Sequence, residues 1–232
     1  MIIWLVYIKH LKEMSETFEI ARKNMVLNQL RPNKINEENI INIFENTPKE
    51  NYLDVGLGKN CYLDNNLDIT DKRGYLKNLH LAQIIKYSKI LPNDKVLHIG
   101  GLTGYFSVII SSLCEELHVV EENRELFKLL EDNIKNTDNT NISLFNHNLL
   151  DGLEDKAPFN LIIIDGPIFN ITDNLKKQLA MNGGRLIYIK KIHENLGKAY
   201  KVIRNEDLYS SEYLFDVMSS YQIQEQEEGF KF

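Results

Sequence analysis

Several simple function classes are ruled out by what this sequence lacks. It has only two cysteines, Cys61 and Cys114, in 232 residues. A disulfide framework needs more, so a reducing, cytoplasmic setting is expected. Its six histidines are scattered, with no pair at metal-ligand spacing, so no metal site is expected. Basic residues number 27 against 33 acidic ones, a formal charge of −6. That leaves no cationic excess to hold a phosphate backbone, and nucleic acid is not an expected partner. The apolar run MIIWLVYI is far short of the ~20 residues a membrane span needs. With no basic residues before it and no small-residue cleavage site after it, it also makes a poor signal peptide. The lysine-bearing phosphate loop is absent, which argues against phosphoryl transfer.

Hydrophobic residues make up 43% of the chain and charged ones 26%, enough for one large domain with a real core. Residues 1–13 read as an extension that packs as a short helix or strand, or is hardly ordered. Residues 14–91 read as an N-terminal, substrate-side element, and 92–232 as the main domain, the two forming one unit. Apolar spacing predicts a helix over 15–30, ended by Arg31-Pro32. A second is predicted over 37–45 with Asn36 as its cap. Residues 51–74 are turn-rich with short extended pieces such as CYLD, and a third helix covers 76–91.

From residue 95 the pattern becomes regular. Strands are predicted over 95–99, 117–120, 142–145, 160–164 and 185–189, and helices over 103–113, 124–136 and 171–181. Strands alternating with helices imply an α/β fold with a doubly wound, mostly parallel sheet. Apolar runs such as LIII at 161–164 suit strands buried on both faces. The tail from Val202 is expected to add antiparallel edge strands, with Tyr213, Leu214, Phe215 and Phe230 docking it on the body.

The stretch VLHIGGLTGYFSVIISSLCEELHVVEE carries the chemistry. Gly100, Gly101 and Gly104 follow a strand and open a helix, so backbone can approach a ligand where a Cβ would block it. Glu121 ends the next strand, seventeen residues after Gly104, where a carboxylate can accept both hydroxyls of a ribose. The turn alone reads equally as a tight turn, and Glu121 alone as a solvated strand end. In register within one strand–helix–strand frame, they favour a nucleoside-cofactor pocket. The dinucleotide fingerprint is incomplete because Leu102 takes its central glycine position, which argues against a nicotinamide-dependent oxidoreductase.

These residues resemble the protein-L-isoaspartate O-methyltransferase family. The block 21–54 is similar to that family's lead-in: Met-Val, Gln-Leu, an Ile-x-Asp/Asn-Glu step and a Pro-Arg/Lys-Glu-x-Phe/Tyr step. LPNDKVLHIGGLTGY is similar to its first cofactor motif, Val-Leu-Glu-Ile-Gly-Thr-Gly-Ser-Gly-Tyr. KAPFNLIIIDGP and NGGRLIYI resemble its later strands. The resemblance spans residues 21–189 and implies a Rossmann-like methyltransferase fold with N-terminal helices. It also implies S-adenosylmethionine as cofactor, and a protein or peptide carboxylate as methyl acceptor in protein repair. On the matching positions, Gly100, Gly101, Thr103 and Gly104 would approach the cofactor's methionine moiety. Glu121 would hold its ribose, and Asn148 and Leu149 would flank its adenine.

The departures from the family cluster at this same pocket. Counted back from Pro92 without gaps, the family's Ser-Gln-Pro falls on Leu76, Lys77 and Asn78, so the substrate-side serine is missing. GYLKNLHLAQ resembles instead an alphaproteobacterial-type branch, and no catalytic residue is assigned. His98 replaces the first motif's acid, and reads either as pocket-facing or as a strand-end histidine satisfied by backbone. Leu102 brings a side chain toward the methionine subsite and calls for a Cβ-compatible dihedral. Asn148 stands for the adenine-binding aspartate and keeps a carbonyl acceptor. Asp165 stands where the family usually has threonine, and reads as a pocket acid or as a turn residue before Gly166-Pro167. Two outcomes follow: a methyltransferase with altered or weak isoaspartyl activity, or a non-catalytic relative kept as a binding or assembly module.

Overall fold

The computed structural model describes residues 2–223. Within the first helix it describes side chains only for Glu13 and from Ser15 onward. Phe230, read above as a docking residue, lies outside the described residues.

The N-terminal part is helical. The predicted 15–30 helix is longer than the pattern suggested: α1 covers Ile2–Met25 and continues as a π turn over Val26–Leu30 and a 3₁₀ turn over Arg31–Asn33. No glycine or proline interrupts residues 2–25, so nothing breaks the helix earlier. Helix α2 is Glu38–Asn46 and buries Ile40, Ile41 and Phe44. Glu37, not Asn36, is its N-cap, without a side-chain capping bond. The short α3, Val55–Gly58, is capped by Asp54, whose carboxylate accepts the Leu57 N–H. CYLD is turn rather than extended. The extended pieces lie just after it: β1, Leu67–Asp68, pairs antiparallel with β2, Gly74–Tyr75. Helix α4 is Asn78–Ser88.

The sheet then builds as the alternation predicts. Its elements are β3 Lys95–Ile99, α5 Tyr105–Ser111, β4 Glu116–Val120, α6 Arg124–Lys135, β5 Ile142–Phe145, β6 Leu161–Ile168, α7 Asp173–Lys177, β7 Asn182–His193, β8 Leu196–Asn205 and β9 Leu208–Met218. Strand order is β5-β4-β3-β6-β7-β8-β9. The first five are parallel and the last two antiparallel. The predicted 171–181 helix shrinks to α7, and the predicted 185–189 strand grows because β8 returns along it as a hairpin partner. Phe215 of β9 is buried, whereas Tyr213 is 49% exposed.

Strand β3 shows why the central strands are so apolar. Val96 packs with β4, β6 and the α4–α5 layer on one face, while Leu97 and Ile99 pack with Val120, Ile162 and Phe159 on the other. Each such side chain is fully buried, a contribution of about 1.5–3 kcal/mol apiece. The chain runs β3 to β4 to β5 outward and returns to place β6 on the other side of β3. That reversal opens a crevice at the carboxyl ends of β3 and β6, the position where such sheets take ligands. Among the described residues, no helix is long and apolar enough to cross a membrane.

Candidate cofactor site

The glycine turn sits in that crevice. The N–H groups of Gly100 and Gly101 both donate to the Val120 carbonyl, at 3.0 and 3.2 Å, which ties the turn to the end of β4. Gly100 has φ +99°, a conformation open mainly to glycine. Leu102 is in the left-handed region as well, at φ 48°. The substitution is therefore met by local backbone strain, of order 1 kcal/mol, rather than by a dihedral comfortable for a Cβ. Glu121 holds the strained residue in place: its Oε2 accepts the Leu102 N–H at 3.0 Å, and its Oε1 accepts the Asn123 N–H at 3.0 Å.

Glu121 is fully buried and already has a partner. Arg73, at the start of the β2 arm, donates Nη1 to Oε1 at 2.6 Å and Nη2 to Oε2 at 2.8 Å. The Arg73 side chain is itself only 12% exposed. Burial opposes its charge, but hydrogen bonding and attraction from Glu121, with Asp165 and Glu122 adding, hold its pKa above the ordinary value. No local pattern marks this arginine, which lies 48 residues before its partner.

The other expected cofactor contacts are also met from within the chain. The Tyr75 hydroxyl accepts the N–H groups of Thr103 at 3.2 Å and Tyr105 at 3.1 Å, and lies 2.9 Å from Thr103 Oγ1. It thus takes up one free donor in the first turn of α5 and one in the turn before it. The Leu149 N–H is accepted by Glu122 Oε2 at 3.3 Å. Asn148 is exposed, and its carbonyl caps the Leu150 and Asp151 N–H groups. His98 and Asp165 are brought together, Nε2 to Oδ2 at 3.4 Å, with His98 Nδ1 2.9 Å from Ser107 Oγ. The three residues have the order of a nucleophilic triad, but among the described residues His98 Nε2 has no hydrogen-bond partner, and Ser107 and His98 are both fully buried, out of a substrate's reach. Among the described residues, no group of three or more His, Cys, Asp or Glu is placed to hold a metal.

Tyr75 carries the first prediction. Tyr75→Phe leaves two buried N–H groups without an acceptor, each worth about 1–3 kcal/mol. A loss of about 2–4 kcal/mol is expected in urea unfolding at unchanged m-value. A loss below 0.5 kcal/mol would show that these amides find other partners.

A segment from the far end of the chain closes the crevice from above. The Tyr221 hydroxyl donates to Asp68 at 2.6 Å. The Gln222 N–H donates to the Lys72 carbonyl at 3.0 Å, and the Ile223 N–H to the Pro167 carbonyl at 2.8 Å. Lys191 donates its ammonium to the Ser220 and Tyr221 carbonyls at 2.7 and 2.9 Å. A Cβ built on Gly100 would lie 3.0 Å from Asp165 Oδ1, 3.3 Å from Arg73 Nη2 and 3.3 Å from Ile223 Cδ1. What remains between Arg73, Leu102, Asp165 and Ile223 is a cavity of about 10 Å³. That is room for at most one water, against the ~300 Å³ or more of an ordinary ligand site.

The parallel sheet with its switch point, the glycine turn and the acid just after β4 define the class: a Rossmann-like fold that binds a nucleoside cofactor. The model of the Protein-L-isoaspartate(D-aspartate) O-methyltransferase family matches residues 21–218. Among curated relatives, the chain is 30% identical over 183 residues to a protein-L-isoaspartate O-methyltransferase of Shewanella halifaxensis, covering 79% of this chain and 85% of that one. It is 29% identical over 170 residues to one of Koribacter versatilis, covering 73% and 76%. A solved protein-L-isoaspartate O-methyltransferase shares the fold at TM-score 0.73 and 17% identity, covering 85% of this chain and 65% of that longer one. The chain belongs to the protein-L-isoaspartate O-methyltransferase family, whose methyl donor is S-adenosylmethionine. The family match does not favour the non-catalytic alternative. The donor set, with a glycine turn beside a strand-end carboxylate, fits that cofactor chemically. Among the described residues, the space between Arg73, Leu102, Asp165 and Ile223 is too small for it, while a cavity of about 410 Å³ opens beside the turn, bordered by Ile69, Thr103, Asn123 and Leu126.

Proposed function

We propose that this protein transfers a methyl group to a carboxylate on a protein substrate, in the cytoplasm. One observation carries the reading: the turn at 100–104 and Glu121 lie side by side at the switch point, Leu102 N to Glu121 Oε2 at 3.0 Å, in a chain matched by the family over 21–218. When bound, S-adenosylmethionine supplies a methyl group already activated for transfer. A carboxylate acceptor is already an anion, so no base is required and alignment dominates, worth several kcal/mol. In keeping with that, the nearby acid–base candidates His98 and Asp165 are both buried, with Nε2 and Oδ2 3.4 Å apart. A polar cavity of about 590 Å³ opens beside the closing segment, bordered by Lys191, His193 and Gln222.

The acceptor differs from the family's usual one in this reading. Leu76, on the serine position, is 1% exposed and part of the core, so it offers nothing to a substrate. Transfer of labelled methyl to an isoaspartyl peptide is expected at least ten-fold below that of a family member that keeps Ser-Gln-Pro. Base-labile methyl ester should still form on protein acceptors. Isoaspartyl turnover equal to such a relative would overturn the altered acceptor, and no ester on any protein would overturn the activity itself.

A further inference from the structure

We propose that Arg73 is an internal competitor for the cofactor's ribose, and so sets how tightly this enzyme holds S-adenosylmethionine. The inference rests on S-adenosylmethionine being the donor, as read above. A ribose presents two adjacent hydroxyl donors to a strand-end carboxylate. The Arg73 guanidinium presents two parallel N–H donors to the same two oxygens, at 2.6 and 2.8 Å, in the strong bidentate geometry of an arginine–carboxylate pair. Both oxygens of Glu121 already accept a backbone N–H besides. They have no lone pair to spare for a diol while Arg73 is in place.

Arg73 sits in the turn between β1 and β2, which pair over two residues each. Tyr75 anchors the far end of β2 on Thr103 and Tyr105, and Asp68 and the Lys72 carbonyl are tied to the closing segment. The arm therefore stays in place, and Arg73 leaves Glu121 by rotation of its own side chain, which breaks none of these ties. Cofactor binding then has two parts, release of the arginine and capture of the ribose, and apparent affinity falls by the fraction of molecules in which the arginine is out. Arg73 acts through Glu121, so it is an affinity-determining residue rather than a catalytic one.

The test is calorimetric titration of S-adenosylmethionine and S-adenosylhomocysteine into the wild type, Arg73→Met and Arg73→Lys, alongside labelled-methyl transfer to protein. Methionine keeps the apolar stem and removes the donors. Lysine keeps the charge but loses the fork. Binding to Arg73→Met is expected to be at least ten-fold tighter than to the wild type, with Arg73→Lys between them. Should Arg73→Met fail to fold, because Glu121 is left unpaired, the comparison of Arg73→Lys with the wild type carries the same sign. Equal or weaker binding by the folded variants, or no binding by any of the three, overturns the proposal. The two readings fail separately. Wild-type binding and transfer with no gain from the variants sinks only the role of Arg73, whereas tighter binding by the variants with no ester formed sinks only the proposed acceptor.

Discussion

Glu121→Ala is expected to lose about 3–5 kcal/mol of stability, read by urea or thermal unfolding. The substitution strands a mostly buried arginine and frees two backbone N–H groups, those of Leu102 and Asn123, in one step. Removing one member of a buried charge pair costs that much because the other stays desolvated and uncompensated. The loss of the Leu102 contact adds to it, since that bond holds a leucine at positive φ. Glu121→Gln should be nearly as damaging. Each carboxylate oxygen accepts two donors, so an amide NH₂ in either position would face donors only. A double-mutant cycle of Glu121→Ala with Arg73→Met should return a coupling of about 2 kcal/mol or more. Additive single effects, or a Glu121→Ala protein as stable as the wild type, would mean that the pair does not form in solution. A cofactor titration that uses Glu121→Ala as its blank must therefore check folding first.

The second large effect concerns Lys49 and depends on pH. Its ammonium is buried, donates to Asn78 Oδ1 at 3.0 Å, and lies 5.1 and 5.2 Å from the ring centres of Tyr75 and Tyr105. Burial lowers its pKa from 10.5 to about 8. Between those values the unfolded chain keeps a proton that the folded chain has released, so the Lys49 contribution to stability rises with pH through that window. Below pH 8 both states are protonated and the contribution is flat. The cysteines act in the opposite sense: burial pushes both Cys61 and Cys114 up to about 12, so stability falls above the ordinary thiol pKa. Cys114 acts alike in the wild type and Lys49→Met and cancels in their difference, but Cys61 and Lys49 act on each other, so both proteins are compared in a Cys61→Ala background. The wild type is expected to gain on Lys49→Met by about 3 kcal/mol from below pH 8 to above pH 10.5. A pH-independent difference would show that Lys49 keeps its charge throughout.

Legibility in the sequence follows from how local each signal is. Strand β3 could be read residue for residue, because the apolar Val96, Leu97 and Ile99 between Asp94 and a glycine turn have few other uses. Helix α6 was nearly as clear: Leu126, Leu130 and Ile134 fall on one buried face, and Asn123 caps its start by accepting the N–H groups of Glu125 and Leu126. The failures lie where pairing across the chain overrode local pattern. CYLD looks extended but turns, because the antiparallel pairing is made by Leu67–Asp68 with Gly74–Tyr75 instead. The missing serine is a different case: Leu76, counted onto its position, lies in the core, in keeping with a lost substrate contact.

Periodicity, the glycine turn and the acid seventeen residues on determined by themselves a doubly wound α/β fold with a nucleoside-type pocket at the ends of β3 and β4, and the resemblance of several separated blocks to one family made it a methyltransferase. These are short-range properties, set by how far apart like residues fall along one strand or helix. Only the tertiary structure decided what fills that pocket. Arg73 reaches Glu121 across 48 residues, and Tyr221 reaches Asp68 across 153. No local spacing encodes such contacts, because they exist only once the sheet has brought the two ends of the chain to one edge.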